Sequence, residues 1–331
     1  MNTELNSIRY RGDQQPHRHR WSLILAGGDG KRLLPLTRMI AGDDRPKQFC
    51  TFVGGQTLLD QTEERVHMVV PARQTMVIVT EAHEDFYATR FGDSHRAPLI
   101  VQPMNRGTAP AILYGLERLH KMDSQGIAAV FPSDHHIADE RAFAADLETA
   151  FAAAESHPDC VLLLGIAPDS AEVGYGWIEP GGPLGDCQID SIRRVSRFWE
   201  KPSQPLADQL LERGCLWNSF VMIGRVGKFL SLIQRALPHL VCSFASIRST
   251  YHSVRESAAL RDLYSRLESI DFSERVLAAF PGDLAVLRSA NLGWSDLGEA
   301  SRVLAVLDRN GVKPEWTHAF AGQTAHCAAG V

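Results

Sequence analysis

A glycine-rich turn followed by two basic residues lies near the beginning of the chain. Residues 23–38 read Leu-Ile-Leu-Ala-Gly-Gly-Asp-Gly-Lys-Arg-Leu-Leu-Pro-Leu-Thr-Arg. The apolar run at 21–26 predicts a buried strand, and the glycines within 27–30 permit backbone angles that let amide N–H groups surround an anion. Lys31 and Arg32 add positive charge. The pattern predicts a phosphate-binding loop, with an ordinary strand-to-loop turn and a solvated basic tip as the alternative.

Two better-known phosphate loops do not fit this turn. A P-loop requires Gly at position 25 and Ser or Thr at 32, and the dinucleotide-binding fingerprint requires a third Gly at 33. The chain has Leu25, Arg32 and Leu33 at these positions. A second basic segment, Arg-Pro-Lys-Gln-Phe at 45–49, follows closely, and Lys47 offers another charge to whatever the loop holds.

Further segments occur in the order in which a known family carries them. Residues 27–37 together with 46–49 resemble the signature of sugar-nucleotide pyrophosphorylases, and the Pro-Lys-Gln-Phe form is that of the mannose-1-phosphate guanylyltransferases. The other matching segments lie at 102–111, 132–135, 174–178, 198–202, 217–219, 269–272 and 294–298. Because the matches span nearly all of 21–300, the resemblance is specific.

The resemblance implies nucleotidyl transfer, in which a sugar 1-phosphate attacks the α-phosphorus of a nucleoside triphosphate in line and expels pyrophosphate. Both reactants are anions, so positioning and charge neutralisation do most of the catalysis. The predicted catalytic residues are Arg32 and Lys47. The predicted nucleotide-binding residues are Leu25, Ala26, Gly27, Gly28, Gly30, Gln102, Arg106 and Thr108. The predicted sugar-phosphate-binding residues are Gly174, Tyr175, Glu200, Lys201 and Asn218; for Glu200 and Lys201, a solvated pair at a strand end is the alternative.

Two aspartates are the candidate ligands for a magnesium ion. Asp134 follows the apolar run at 127–131, and the resemblance makes Asp296 the second ligand. Mg²⁺ takes carboxylates, phosphate oxygens and waters, so two aspartates from distant segments suffice. Asp296 is also followed by Glu299, a spacing that fits a helix cap, and the same spacing at Asp271 and Glu274 favours a cap there. For the histidines at 135–136, a hydrogen-bonded structural role is favoured over metal binding.

The sequence specifies the nucleotide base and the sugar less closely than it specifies the reaction. The resemblance implies GTP and mannose 1-phosphate, while other bases and a related hexose or heptose phosphate stay open. The chain departs from the family at Phe220, where Gly is usual, at Trp199, and in the order Asn-Arg-Gly at 105–107. These departures predict a crowded sugar side. Strand alternation places Phe220 on the face of Asn218, towards the pocket, with a core position as the alternative.

Short apolar strands alternate with amphipathic helices along the chain. Strands are predicted at 22–26, 76–80, 99–102, 127–131, 161–166, 192–200, 216–223 and 285–288, and helices at 57–69, 109–121, 140–155, 206–213, 227–236 and 272–279. Thr108 is the predicted cap of the second helix. The alternation predicts an α/β fold with a mainly parallel, doubly wound, Rossmann-like sheet and ligands at the carboxyl ends of its strands. The turn-rich stretch at 179–185 predicts a small β-rich insertion on the sugar side.

Composition agrees with a soluble enzyme, and the cysteine usage favours a cytoplasmic location. The 331 residues carry a net charge of −5, with 34 Lys and Arg against 39 Asp and Glu, which disfavours a nucleic-acid binder. The six cysteines are scattered, as expected of reduced thiols, and no apolar run is long enough for a membrane span. We expect a mobile tail at 1–20, with a weak metal-binding role for its histidines as the lesser alternative, a nucleotidyltransferase domain at 21–307 and a short tail at 308–331. A homo-oligomer stays open.

Two other functions are compatible with such a sheet. A metal-dependent glycosyltransferase would use a ready-made nucleotide sugar, but its Asp-x-Asp element is replaced here by Asp-His-His at 134–136. A non-catalytic sugar-nucleotide sensor would not need the predicted metal pair. Both rank below nucleotidyl transfer.

Overall fold

The computed structural model describes residues 18–91, 98–185, 191–289, 291–314 and 316–317. Its strands are β1 (Arg20–Leu25), β2 (Thr75–Thr80), β3 (Leu99–Gln102), β4 (Ile127–Pro132), β5 (Val161–Ile166), β6 (Gly176–Pro183), β7 (Ile192–Glu200), β8 (Leu216–Arg225) and β9 (Leu284–Arg288). Its α-helices are α1 (Leu34–Ala41), α2 (Leu58–His67), α3 (Glu84–Tyr87), α4 (Thr108–Met122), α5 (Glu140–Ser156), α6 (Gln204–Glu212), α7 (Val226–Ala236), α8 (Pro238–Ala245), α9 (Glu256–Arg266) and α10 (Ala300–Arg309).

The strands form one mixed sheet in the order β3-β2-β1-β4-β8-β5-β9-β7-β6. From β3 to β4 neighbouring strands are parallel, but β8 runs antiparallel between β4 and β5. The Rossmann-like prediction therefore describes the first part of the sheet and not the whole. Most of the predicted insertion lies in β6, which pairs with β7 and β8 in this same sheet. Pro180 and Pro183 stand at register shifts, where a missing N–H disturbs the ladder least.

Helices cover both faces of the sheet because its central strands are apolar on both sides. Leu23 of β1 packs into a core that includes residues of α4, α7, α8 and α9. Its neighbour Ile24 packs into the opposite core, with residues of α2, α5 and α6. A third, smaller cluster joins Leu33 and Leu36 to Leu297 and α10. Through this cluster, α10 packs beside the residues that follow the glycine-rich turn.

All eight predicted strands are present, whereas β6 and the helices α1, α3, α8, α9 and α10 were not predicted. The stretch predicted as a helix at 272–279 contains a single π-helical turn, Ser273–Leu277. Thr108 is not a cap, because it is the first residue of α4 and Gly107 holds the N-cap position. No helix among the described residues is long and apolar enough to cross a membrane.

The predicted ends of the domain are shifted slightly by the observed elements. Arg20 already belongs to β1, where it is buried and pairs with Glu148 and Glu155 at 2.6 and 3.1 Å. α10 continues to Arg309. Most of both predicted tails, 1–17 and 318–331, lies outside the described residues. Among the cysteines of the described part, Cys50, Cys215 and Cys242 are free thiols.

Candidate functional site

Two adjoining cavities lie where β1, β3 and β4 end, of about 350 and 220 Å³. Both are lined by Leu25, Gly28, Thr108 and Asp271, so they form one cleft with two ends. The larger cavity is also lined by the predicted residues Arg32, Lys47, Asp134, Gly174, Tyr175, Glu200, Lys201, Asn218 and Asp296. The smaller cavity is lined by Gly27 and Gln102. We call these the sugar end and the nucleotide end.

Side chains that the sequence patterns did not reveal hold the glycine-rich loop in place. The buried amide of Gln48 donates through Nε2 to the carbonyls of Ala26 and Gly28, at 2.9 and 2.8 Å. Ser133 Oγ donates to the carbonyl of Leu25 at 2.7 Å. Gln48 lies inside the segment at 46–49 that resembles the family. This resemblance is the signal that could have identified Gln48 from the sequence. With its carbonyls bonded inside the protein, the loop has one fixed shape.

Lys47 is largely buried and already has three acceptors. Its Nζ lies 3.2 Å from Asp134 Oδ2 and donates to the carbonyls of Asp296 and Leu297 at 2.8 and 3.3 Å. An ammonium group has three protons, so these contacts use all of them. Arg32 differs, because it is exposed and forms no ion pair with the described residues. Arg32 is therefore the predicted catalytic cation with free donors.

Asp134 lies between Lys47 and His135. The indole N–H of Trp294 donates to His135 Nδ1 at 3.2 Å, which places the proton of a neutral ring on Nε2, 3.7 Å from Asp134 Oδ1. Burial lowers the pKa of His135, so the ring is neutral near pH 7. The buried guanidinium of Arg65 donates to the His135 carbonyl at 3.2 Å. These contacts give His135 the structural role that was favoured.

Asp296 is not the cap of α10, so the cap interpretation is wrong at this position. The N-cap is Glu299, whose side chain makes no capping bond. Asp296 Oδ1 instead accepts from the Tyr175 hydroxyl at 2.9 Å, the Gly298 amide at 3.0 Å and Arg302 Nη1 at 2.7 Å. At Asp271 the cap is confirmed, because its Oδ1 accepts from the Glu274 amide at 3.0 Å.

Asp134 and Asp296 can bind a hard cation only if a bound ligand supplies further oxygen donors. Within the described ranges, no group of three or more His, Cys, Asp or Glu side chains is arranged to hold a metal. Asp134 and Asp296 nevertheless line the same cavity, and Asp296 Oδ2 accepts none of the hydrogen bonds found in this part of the chain. Two carboxylates completed by phosphate oxygens and water are a donor set that Mg²⁺ accepts.

Glu200 and Lys201 form the sugar-end pair, with Lys201 Nζ 3.2 Å from Glu200 Oε1. Lys201 is 61% exposed at its side chain, whereas Glu200 is only 18% exposed. Burial raises the pKa of the Glu200 carboxyl. A Cβ at Gly176 would lie 2.9 Å from Glu200 Oε2 and 3.3 Å from the Cβ of Asn218, so glycine is what permits this close approach. Because Glu200 is largely buried at the cavity wall, the alternative of a fully solvated pair does not describe it.

Phe220 lines the sugar end and packs in part against the core. It has φ of 62°, at a register shift between β5 and β8, and the cavity-lining Lys201 also has a positive φ of 46°. Left-handed backbone in a non-glycine residue costs about 1–2 kcal/mol and clusters at functional sites. Trp199, by contrast, lines neither cavity and stacks with Arg197 and Arg213. The expected crowding therefore involves Phe220 and not Trp199.

The nucleotide end is held by backbone contacts between the 105–109 turn and Ile270. The Ile270 amide donates to the Arg106 carbonyl, and the Ala109 amide donates to the Ile270 carbonyl, both at 3.0 Å. Gly107 has φ of 81°, and a Cβ there would lie 2.4 Å from the Ile270 oxygen. Glycine is therefore required at position 107 by both its angle and its neighbour.

Gln102 is buried at the wall of the nucleotide end. Its Oε1 accepts from the Tyr264 hydroxyl at 2.9 Å, which assigns Nε2 as the amide's free donor. Arg106 Nε donates to the Tyr264 carbonyl at 3.0 Å, so Arg106 braces this wall. Ala26, Gly30 and Arg106 line neither cavity.

A cavity of about 580 Å³ among α4, α7 and α8 is larger than both of these. It contains none of the predicted site residues, and the carboxylate of Glu117 in its wall is already bonded to Arg248 and Tyr251. Volume alone therefore does not identify the site. The cleft is the candidate site because the predicted charged residues line it.

Comparison with known proteins places these features in a family. The nucleotidyl transferase family model matches residues 21–309. The chain is 30% identical over 298 residues to the xanthan biosynthesis protein XanB of Xanthomonas campestris pv. campestris (strain B100), covering 87% of this chain and 60% of that protein. It is also 30% identical over 292 residues to the mannose-1-phosphate guanylyltransferase of Escherichia coli (strain K12), covering 85% of this chain and 58% of that protein. The chain thus spans about 60% of the length of these curated relatives.

Solved structures share the fold. One from Thermus thermophilus, described as a mannose-1-phosphate geranyltransferase, has a TM-score of 0.72 at 29% identity, over 85% of this chain and 76% of that chain. A UDP-glucose pyrophosphorylase complexed with UDP-glucose has a TM-score of 0.57 at 13% identity, over 88% of this chain and 98% of that chain. The second likeness concerns the fold alone.

Proposed function

The chain belongs to the nucleotidyl transferase family, and on that premise we propose that it transfers a nucleotidyl group from a nucleoside triphosphate to a sugar 1-phosphate, releasing pyrophosphate. We propose GTP as the donor and mannose 1-phosphate as the acceptor, in keeping with the name of the relative from Escherichia coli. One observation carries the proposal. Arg32, Lys47 and Lys201, from distant segments, line the same cavity as Asp134 and Asp296.

The charges in the cleft suit a reaction between two anions. Arg32, with its free donors, would bind the triphosphate, and the exposed Lys201 would bind the sugar phosphate. Lys47 would keep Asp134 in place and contribute positive charge beside that carboxylate. At the nucleotide end, the free Nε2 donor of Gln102 suits an acceptor atom on a purine. Such an arrangement accelerates phosphoryl transfer by positioning and charge stabilisation, without a protein nucleophile.

The nucleotidyl transferase family generally uses divalent metal ions. We propose Mg²⁺ for this chain, with Asp134 and Asp296 as its protein ligands and phosphate oxygens completing the set. When bound, the ion would neutralise charge on the reacting phosphates. The protein's own part is to hold the two carboxylates: Lys47 and His135 flank Asp134, and Tyr175, Gly298 and Arg302 fix Asp296 Oδ1.

Pyrophosphate release by the purified protein tests the proposal. Five nucleoside triphosphates are paired with several sugar 1-phosphates, with Mg²⁺ and with EDTA. We expect Mg²⁺-dependent release with GTP and mannose 1-phosphate. Binding without turnover of any pair would favour the sensor, and transfer only from a ready-made nucleotide sugar would favour the glycosyltransferase.

A further inference from the structure

Arg302 links two segments at the sugar end, the one that contains Asp296 and the one that contains Glu172. It is the third residue of α10, six residues after Asp296. Helical side chains slant towards the N-terminus of their helix, so Arg302 reaches back to the segment that precedes α10. Its side chain is only 17% exposed. No sequence motif singled this residue out.

The guanidinium of Arg302 bonds to carboxylates from two segments far apart in the chain. Nη1 lies 2.7 Å from Asp296 Oδ1, and Nη2 lies 2.7 Å from Glu172 Oε2. The guanidinium carbon is also 4.5 Å from the centroid of the Tyr175 ring, whose hydroxyl donates to Asp296. A planar fork with two separate donors suits such bridging, and a lysine ammonium would not reproduce it.

Glu172 carries the connection into the loop at the sugar end. Its Oε1 accepts from the Gly174 amide at 2.8 Å, and its carbonyl accepts from the Trp177 indole at 2.7 Å. Residues 172–175 and Gly176, the first residue of β6, are here called the 172–176 loop, and the bonds of Glu172 to Gly174 and Trp177 hold its shape. Gly174, Tyr175 and Gly176 of this loop line the cavity. Arg302 thus contacts both a candidate cation ligand and the support of the sugar-end wall.

The hydrogen bonds that hold Asp296 leave one of its carboxylate oxygens open. The bonds from Tyr175, Gly298 and Arg302 all reach Oδ1. They leave Oδ2 as the oxygen available to a ligand.

We propose that Arg302 is a positioning residue that joins the carboxylate of Asp296 to the 172–176 loop, so that a divalent cation and the sugar 1-phosphate each strengthen the binding of the other. The inference rests on the proposed function. Coupling of this kind is reciprocal, because each ligand must change the affinity of the other by the same factor. It is therefore measurable without turnover.

The chain contains a matched control for a buried arginine with a purely structural pair. Arg118 is 18% exposed and pairs with Glu256, and neither residue lines the sugar or the nucleotide end. Arg302 and Arg118 therefore share residue type, exposure and partner chemistry. They differ in their partners: Arg302 pairs with Asp296, which lines the sugar end, and with Glu172, whereas Arg118 pairs with Glu256, which lines neither end.

Calorimetric titration of mannose 1-phosphate, at saturating Mg²⁺ and in EDTA, tests the coupling directly. In the wild type we expect Mg²⁺ to tighten binding by roughly tenfold, within the usual range of coupling between sites. Arg302→Met should reduce this factor to about twofold or less, Arg302→Lys should retain part of it, and Arg118→Met should retain all of it. Full coupling in Arg302→Met, or none in the wild type, would overturn the proposal.

Steady-state kinetics separates this proposal from the proposed function. Arg302→Met should raise the KM for mannose 1-phosphate roughly tenfold and leave the KM for GTP within about twofold. A lower melting temperature with unchanged KM values, as expected for Arg118→Met, would make Arg302 merely structural. Cation-coupled binding without pyrophosphate release from any pair would refute the proposed function and leave the role of Arg302 standing.

Discussion

The two ends of the cleft are built in different ways. At the nucleotide end, glycines and main-chain hydrogen bonds hold the loops, as between Ile270 and the 105–109 turn. At the sugar end, ion pairs join segments more than 100 residues apart, such as Arg302 with Glu172, and non-glycine residues adopt positive φ. Backbone contacts fix a shape that many side chains tolerate, whereas ion pairs depend on particular residues. The shape of the nucleotide end therefore depends mainly on its backbone, and the shape of the sugar end depends on particular side chains.

The largest expected effect concerns Arg32, the cation with free donors at the sugar end. Arg32→Ala should lower turnover by roughly two to three orders of magnitude, about 3–4 kcal/mol, as for other groups that stabilise developing charge. Lys31→Ala is the matched control, because Lys31 is 80% exposed and lies 3.6 Å from Asp29. Its turnover should stay within about threefold of the wild type. Equal losses in the two variants, measured by pyrophosphate release, would mean that only net charge matters.

Gly107→Ala tests whether the nucleotide end depends on its backbone. The new Cβ would collide with the Ile270 carbonyl and would also occupy a left-handed conformation. We expect a loss of about 3 kcal/mol in the free energy of unfolding, measured by urea denaturation. Gly182→Ala, with nothing within 4 Å of its added Cβ and no positive φ, should change stability by less than about 0.5 kcal/mol. A harmless Gly107→Ala would show that the turn can move away from Ile270.

His136 tests the contact between the segment after β4 and the segment before α10, where its backbone pairs with Ser295. Burial lowers the pKa of His136 to about 4, below its ordinary value, so the unfolded chain binds the proton more readily than the folded one. Stability linked to this group is therefore present above about pH 6.5 and is lost as the pH falls towards 4. Between pH 7 and 5 the loss should be about 2 kcal/mol. Urea denaturation of His136→Asn should show a correspondingly flatter pH dependence, and an unchanged slope would contradict the assignment.

Phe220 offers the smallest but most specific test of the sugar end. Phe220→Gly and Phe220→Ala both remove the ring from the cavity wall, so both should accept bulkier sugar 1-phosphates in the turnover assay. The glycine variant should be more stable than the alanine variant by about 1 kcal/mol, because φ at this position is 62°. Unchanged sugar selectivity with a loss of about 3–5 kcal/mol in both variants would make Phe220 a core residue.

The sequence by itself determined eight of the nine strands of the described part and several of the charged residues that line the cleft. Buried apolar runs such as 161–166 predict strands because few other structures bury both faces of so short a segment. The glycine-rich turn and the basic segment at 45–49 could be recognised from the sequence because few segments combine these residue types at this spacing. The predicted charged residues Arg32, Lys47, Asp134 and Asp296 line one cavity. Their roles stay predictions until variants are measured.

Only the tertiary structure decided how these residues are held. The antiparallel insertion of β8, the contact of Gly107 with Ile270 and the bridge from Arg302 to Glu172 all join segments far apart in the chain. Local patterns report propensity and burial, which depend on near neighbours. They do not report which distant carboxylate a given arginine meets. For the same reason Asp296 matched a helix cap by spacing, although its carboxylate accepts hydrogen bonds from Tyr175 and Arg302.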